Sequence, residues 1–125
     1  MIYGTGVDIV ETARIRKILD KFSRHFEQKC FTQNEIDYCR SKPDPGIHFA
    51  ARFAAKEAVL KCLGTGISGE VFMKHIEVAH EAGGKPILNF CGNSKEFLER
   101  LKLRAVHISL SHERGYAIAM AVAER

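Results

Sequence analysis

A chain of 125 residues has the length of one domain, 1–125, near the small end of those that bury a real core. Hydrophobic residues at 46% and charged residues at 27% are ordinary for a soluble globular protein, and no apolar run approaches the roughly 18 residues that cross a membrane. The net charge of +4 is mild, favouring an acidic or phosphorylated partner without demanding nucleic acid.

Residues 2–10, weakly alternating and rich in Ile and Val, predict a first strand. Asp8 and Glu11 break this apolar stretch, so no secretory leader is expected and a cytoplasmic protein is. From Thr12, a plausible N-cap, the period changes: Ile15, Ile18, Leu19, Phe22 and Phe26 follow helical spacing. Thr32 followed by Glu35 is a capping-box pattern that predicts a short helix over 32–40. The prolines and glycine of SKPDPG (41–46) break the chain before the clearest helix, 47–63, which Gly64 stops.

Two strand-like runs, Ile76–His80 and Pro86–Phe90, flank Gly83-Gly84 as a hairpin. Phe97, Leu98 and Leu101 suggest a helix over 93–103. The end reads as two strands joined by a turn near His112–Gly115. The expected class is α+β, with helices on one face of a mostly antiparallel sheet. Cys30, Cys39, Cys62 and Cys91 lack C-x-x-C spacing, and three of them have apolar neighbours. Reduced packing residues are therefore expected, not a zinc site or disulfide framework.

Two features of this pattern point to chemistry. Asp8 stands among strand residues, where aspartate is depleted and costly to bury alone. The helix 47–63 is apolar or small nearly all round, through Phe49, Phe53, Leu60 and its alanines, as befits a buried helix. It nonetheless carries Arg52, Lys56, Glu57 and Lys61. Glu57 and Lys61, four apart, could form an ordinary surface ion pair of a few tenths of a kcal/mol. Flanks this apolar shift the balance toward a site, because buried charges are usually paired or bind metal. Asp8 and Glu57 would repel unless a cation lay between them. With only two protein oxygens the cation best suited is Mg²⁺, which keeps its waters and takes substrate phosphate oxygens. Lys61 could then face that phosphate or a leaving oxygen.

GVDIVETARI, RFAAKEAVLKCLGTGI, GGKP and ISLSHERGYAIAMA, in this order, resemble the holo-acyl-carrier-protein synthases, which are small 4′-phosphopantetheinyl transferases. The resemblance runs from residue 2 to about residue 122. It includes the G-x-D pattern and F-x-x-K-E-x-x-x-K, here Phe53, Lys56, Glu57 and Lys61. It implies the 4′-phosphopantetheinyl transferase fold and transfer of the phosphopantetheine arm of coenzyme A to a serine of apo-acyl carrier protein. Adenosine 3′,5′-bisphosphate would be released, in the service of fatty acid biosynthesis.

Carried over residue by residue, Asp8 and Glu57 would hold Mg²⁺ on the diphosphate, and Lys61 would neutralise charge on the transferred phosphate or leaving group. The base for the serine would be Glu57 or a water on the metal. Arg52, Lys85, Pro86, Ser111 and His112 would line the coenzyme A site, with Lys85, Pro86 and His112 near adenine or its phosphates. The resemblance also implies a homotrimer with each site between subunits. Cys62, where alanine is more common, and Phe72, where tryptophan is, depart from the family pattern outside this chemistry.

Arg14, Lys17, Lys21 and Arg24 recur at three- and four-residue spacing on the first helix. They form either a solvated basic face or a dock that steers in acidic acyl carrier protein. The first GTG triplet has Ile9 where a dinucleotide fingerprint needs its third glycine, and no G-K-[ST] of a P-loop follows, while the second, Gly64–Gly66, reads as the helix stop plus a turn. His25, His48, His75 and His80 lack ligand spacing, and Tyr3, Tyr38 and Tyr116 form no stacking platform, so nucleic-acid binding is not expected. Two other classes stay open: a non-catalytic module docking an acidic partner, and a metal-dependent phosphohydrolase.

Overall fold

The computed structural model describes residues 1–66 and 69–125. Strand β1 (Ile2–Glu11) runs directly into helix α1 (Thr12–Cys30), whose Ile15, Leu19 and Phe26 are buried at helical spacing. Thr12 is not the cap its position suggests. Glu11 holds that place without a side-chain bond, while Thr12 is buried and its amide donates to the Gly115 carbonyl at 2.7 Å. The turn around Gly115 thus satisfies an amide that a cap would otherwise serve. Nor is α1 one continuous helix. Ser23 (φ 32, ψ −111) breaks the ladder, and Phe22, placed by spacing on the apolar face, lies exposed beside the break.

Helix α2 (Gln33–Arg40) carries the expected capping box, with Thr32 Oγ1 accepting from the Glu35 amide and Glu35 Oε1 from the Thr32 amide. Helix α3 (Pro45–Leu63) starts two residues before the predicted 47, because Pro45 fits a first helical turn, where no amide donor is needed. It ends at Gly64, whose φ of 81 is the left-handed cap. A short 3-10 turn (Met73–His75) leads into β2 (Ile76–His80) and β3 (Pro86–Phe90). Helix α4 (Gly92–Arg100) is shorter than the 93–103 its apolar spacing predicts, since Lys102 adopts φ 57 and closes it. β4 (Ala105–Glu113) and β5 (Tyr116–Glu124) meet through Arg114 and Gly115, both at positive φ. That is the geometry of a tight hairpin turn.

Among the described residues every strand pairing is antiparallel, in two sheets: β1-β5-β4 and the β2-β3 hairpin. Helix α3 lies across the three-stranded sheet, and small residues make this possible. Ala117, Ala119, Ala121 and Ala123 of β5 are all buried. A Cβ at Gly4 would strike the Cys62 carbonyl oxygen, and one at Gly6 the Ala58 carbonyl oxygen. The first GTG triplet is therefore a close-packing surface for α3. Cys30, Cys39 and Cys62 are buried, whereas Cys91 is exposed. None of the four is in a disulfide.

The opposite face of the sheet is apolar yet bare. Val7 and Ile9 are 57% and 62% exposed, and Ile118 and Met120 of β5 are 42% and 50% exposed.

Candidate active site

Alternation along β1 puts Asp8 on the same face as buried Gly6 and Val10, the face toward α3, opposite Ala119 in the register. This is why a strand tolerates a carboxylate there: across from it runs a helix bearing charge. Lys61 of α3 donates to Asp8 Oδ1 at 3.1 Å and to the Val7 carbonyl at 3.0 Å. Glu57, one turn earlier and half-buried, shares the spot. Burial and then the nearby Asp8 raise its pKa above the usual 4.5, partly offset by Lys61 and Arg14. Lys61 is thus the cation of a three-residue cluster, not the simple i,i+4 partner of Glu57.

Two hard carboxylates that penalise each other's charge suit a small divalent cation, and two protein oxygens suit one that retains water, as Mg²⁺ does. The Lys61 ammonium on Asp8 is the charge-balancing group within the chain itself. Arg14 belongs with this cluster through its effect on Glu57. Lys17, Lys21 and Arg24 continue along α1, all exposed, with the Lys21 ammonium 5.5 Å from the Phe22 ring centroid. The break at Ser23 separates Arg24 from the first three, so the four basic residues do not form one straight stripe.

Arg52 is elsewhere on α3. Five residues before Glu57, it points about 140° away around the helix axis. It is 4% exposed, and its guanidinium stacks 4.2 Å from the Tyr38 ring centroid. One nitrogen donates to the His48 carbonyl at 3.5 Å, but Nε has no partner. The groove around it includes Asn34, Tyr38, His80 and Asn89. Burial, followed by Arg52 and Lys42, lowers the pKa of both His48 and His80, and His112 adds to the effect on His48. Arg52 and Lys42 thus form a cationic patch around these histidines, with His112 close to His48. A buried guanidinium with a free donor is suited to an anion.

His48, His80 and Tyr38 carried no site role in the sequence reading. The usable signal was His48 four residues before Arg52, on the same helix face. Ser111, next to His112 at the end of β4, is exposed. Lys85 and Pro86 line a separate groove between β3 and β4, with Arg104 and His107. The expected coenzyme A residues therefore fall into two patches, and the Arg52 patch faces away from Glu57.

Residues 4–121 match the model of the 4′-phosphopantetheinyl transferase superfamily. The holo-[acyl-carrier-protein] synthase of Syntrophus aciditrophicus is 46% identical over 124 residues, 99% of this chain and 97% of that protein. The crystal structure of holo-[acyl-carrier-protein] synthase from Neisseria meningitidis is similar with a TM-score of 0.94 at 38% identity, covering 100% of both chains. The Helicobacter pylori holo-[acyl-carrier-protein] synthase, crystallised with coenzyme A, matches with a TM-score of 0.86 at 32% identity, over 96% of this chain and 99% of that one.

Proposed function

The chain belongs to the 4′-phosphopantetheinyl transferase superfamily, and we propose that it moves the phosphopantetheine arm of coenzyme A onto a serine of apo-acyl carrier protein. The observation that carries this reading is the convergence of Asp8, Glu57 and Lys61 between β1 and α3. In the transfer, the serine oxygen bonds to the phosphorus that bears pantetheine. The bond from that phosphorus to the bridging oxygen breaks, and adenosine 3′,5′-bisphosphate leaves. The serine proton must go to a base, for which Glu57 or a water on the metal would serve.

Asp8 and Glu57 would hold Mg²⁺, which when bound offsets charge on the diphosphate. Lys61, half-exposed beside Asp8, would turn its ammonium toward the leaving phosphate. Such chemistry depends mainly on position and charge, so three side chains suffice. Arg52 and Lys42 would supply cationic groups for a phosphate of coenzyme A, with His48 and His112 beside them, and Lys85, Pro86 and Ser111 would line its nucleotide side.

Because Arg52 faces away from Glu57, a complete site requires a second copy of the chain. The bare apolar sheet face, with Val7, Ile9, Ile118 and Met120, supports self-association, and the family resemblance implies three copies. Residues 1–125 act as one transferase domain on this reading. It works in a reducing cytoplasm, consistent with its unpaired cysteines, and serves fatty acid biosynthesis. Arg14, beside Glu57, and the basic residues that follow it on α1 receive the acidic carrier protein.

Mass spectrometry of apo-acyl carrier protein incubated with coenzyme A, Mg²⁺ and the chain tests the proposal. One added phosphopantetheine, lost with chelator, supports transfer. An unmodified carrier that still binds points to a docking module, and coenzyme A cleaved without transfer points to a hydrolase.

A further inference from the structure

Lys56 lies between Arg52 and Glu57 in sequence and takes no part in the chemistry above. It is fully buried, and each of its three protons has an acceptor: Glu35 Oε1 at 2.5 Å, the Cys30 carbonyl at 2.8 Å and the Met73 carbonyl at 3.0 Å. Glu35 is 1% exposed and equally saturated. Its Oε1 also accepts from the Thr32 amide and its Oε2 from the Val78 amide, both at 2.9 Å. One ion pair therefore ties α3 to the end of α1, the cap of α2, the 3-10 turn and β2.

Stability is a weak reason for this arrangement, because well-packed apolar residues often serve as well as a buried ion pair or better. Direction is a stronger one. Helix α3 buries Phe49, Val59 and Leu60 as well as Ala50, Ala54, Ala55 and Ala58, and this apolar packing holds its rotation by shape alone, with no directional bond. Hydrogen bonds with fixed geometry define it well. A turn of about 20° would move a side-chain tip ~6 Å from the axis by roughly 2 Å, enough to disrupt coordination on one side and a phosphate contact on the other.

We propose that Lys56 is a positioning residue whose bond to Glu35 holds α3 in the one rotation that turns Glu57 toward Asp8 and Arg52 into the Tyr38 groove. This rests on the metal and coenzyme A roles given above. The pair acts on both sides of the helix at once, without touching substrate or metal.

The test uses the whole protein as wild type, Lys56→Met and Glu35→Gln, at a temperature where near-ultraviolet circular dichroism shows native packing. Mn²⁺ binding is measured by electron paramagnetic resonance, and coenzyme A binding by calorimetry. Both variants are expected to bind Mn²⁺ about tenfold more weakly, the scale at which lost orienting contacts register. Coenzyme A affinity should fall with it, although packing stays native at the temperature used. Variants with a lowered unfolding midpoint but wild-type affinities for both ligands would make the pair merely structural and overturn the proposal. If Lys56→Met does not fold, Glu35→Gln, which leaves both carbonyl acceptors to the lysine, decides alone. Wild-type protein whose Mn²⁺ binding is indifferent to Asp8→Ala would instead fault the metal site, and the coenzyme A measurement would still judge the pair.

Discussion

Lys61 reaches from α3 to Asp8 on β1, with its ammonium 3.1 Å from Oδ1, although Glu57 lies one turn away on its own helix. The lysine therefore occupies a carboxylate that the proposed cation needs. Lys61→Met should tighten Mn²⁺ binding severalfold, by removing a competing charge. Turnover should nevertheless fall at least tenfold, because the leaving phosphate loses its ammonium. Titration by electron paramagnetic resonance beside steady-state rates checks both. Weakened binding would make Lys61 part of the metal's support.

Glu57 binds its proton more tightly in the fold than its usual 4.5 would suggest, chiefly through burial and then Asp8. Its ionisation therefore costs the metal-free protein stability as pH rises from the unfolded value through the raised folded one. Glu57→Gln should be more stable than wild type above that window without metal, and equal to it below. Turnover should drop by roughly 10²-fold or more. Denaturant midpoints across pH, with chelator present, supply the comparison. A variant less stable at neutral pH would show that the carboxylate holds the fold together.

Gly6→Ala places a methyl group on the Ala58 carbonyl oxygen. Since backbone on backbone yields little, β1 must lift from α3, at a cost of about 2–3 kcal/mol. Asp8 moves with the strand, so the surviving folded protein should bind Mn²⁺ poorly. Urea unfolding and metal titration should change together, and an unchanged metal affinity would separate the glycine from the site.

Arg14 is the residue of the basic helix that acts on Glu57. Arg14→Glu should raise KM for carrier protein well above its effect on KM for coenzyme A. The wild-type value should also rise with ionic strength, as screened steering requires. Equal changes in the two constants would remove the docking role.

If each site spans two subunits, Asp8→Ala and Arg52→Met damage opposite halves of it. Each variant alone should be nearly inactive, and co-expression should restore part of the activity through sites that draw both intact halves. Size exclusion with light scattering measures the assembly at the same time. A mixture as inactive as its components would place both residues in one subunit's site.

Much of this was legible in the residues, but unevenly. Element types followed from periodicity, and the Thr32–Glu35 capping box and the Gly64 stop held because each depends on neighbours within a few residues. Asp8 and Glu57 drew notice as charges in apolar surroundings, and β1 and α3 do bring them together. The break at Ser23 had no such signal, since the apolar spacing of Ile15, Ile18 and Leu19 continues smoothly to Phe26. Thr12 is not the cap because the helix begins one residue earlier than the spacing suggested, with the Thr12 amide bonded to the Gly115 carbonyl about a hundred positions away. Glu35 was recognised only in its local role. Its buried bond to Lys56 depends on tertiary packing that no spacing rule encodes. The GTG glycines looked like a rejected nucleotide loop until α3 was seen against them.

A crystal structure of the chain with coenzyme A and Mn²⁺, with anomalous scattering to locate the ion, tests the central claim most directly. The ion should lie between the carboxylates of Asp8 and Glu57 and touch the coenzyme A diphosphate, with Lys61 turned from Asp8 toward a phosphate oxygen. An ion bound without either carboxylate, or a diphosphate seated away from β1 and α3, would contradict it.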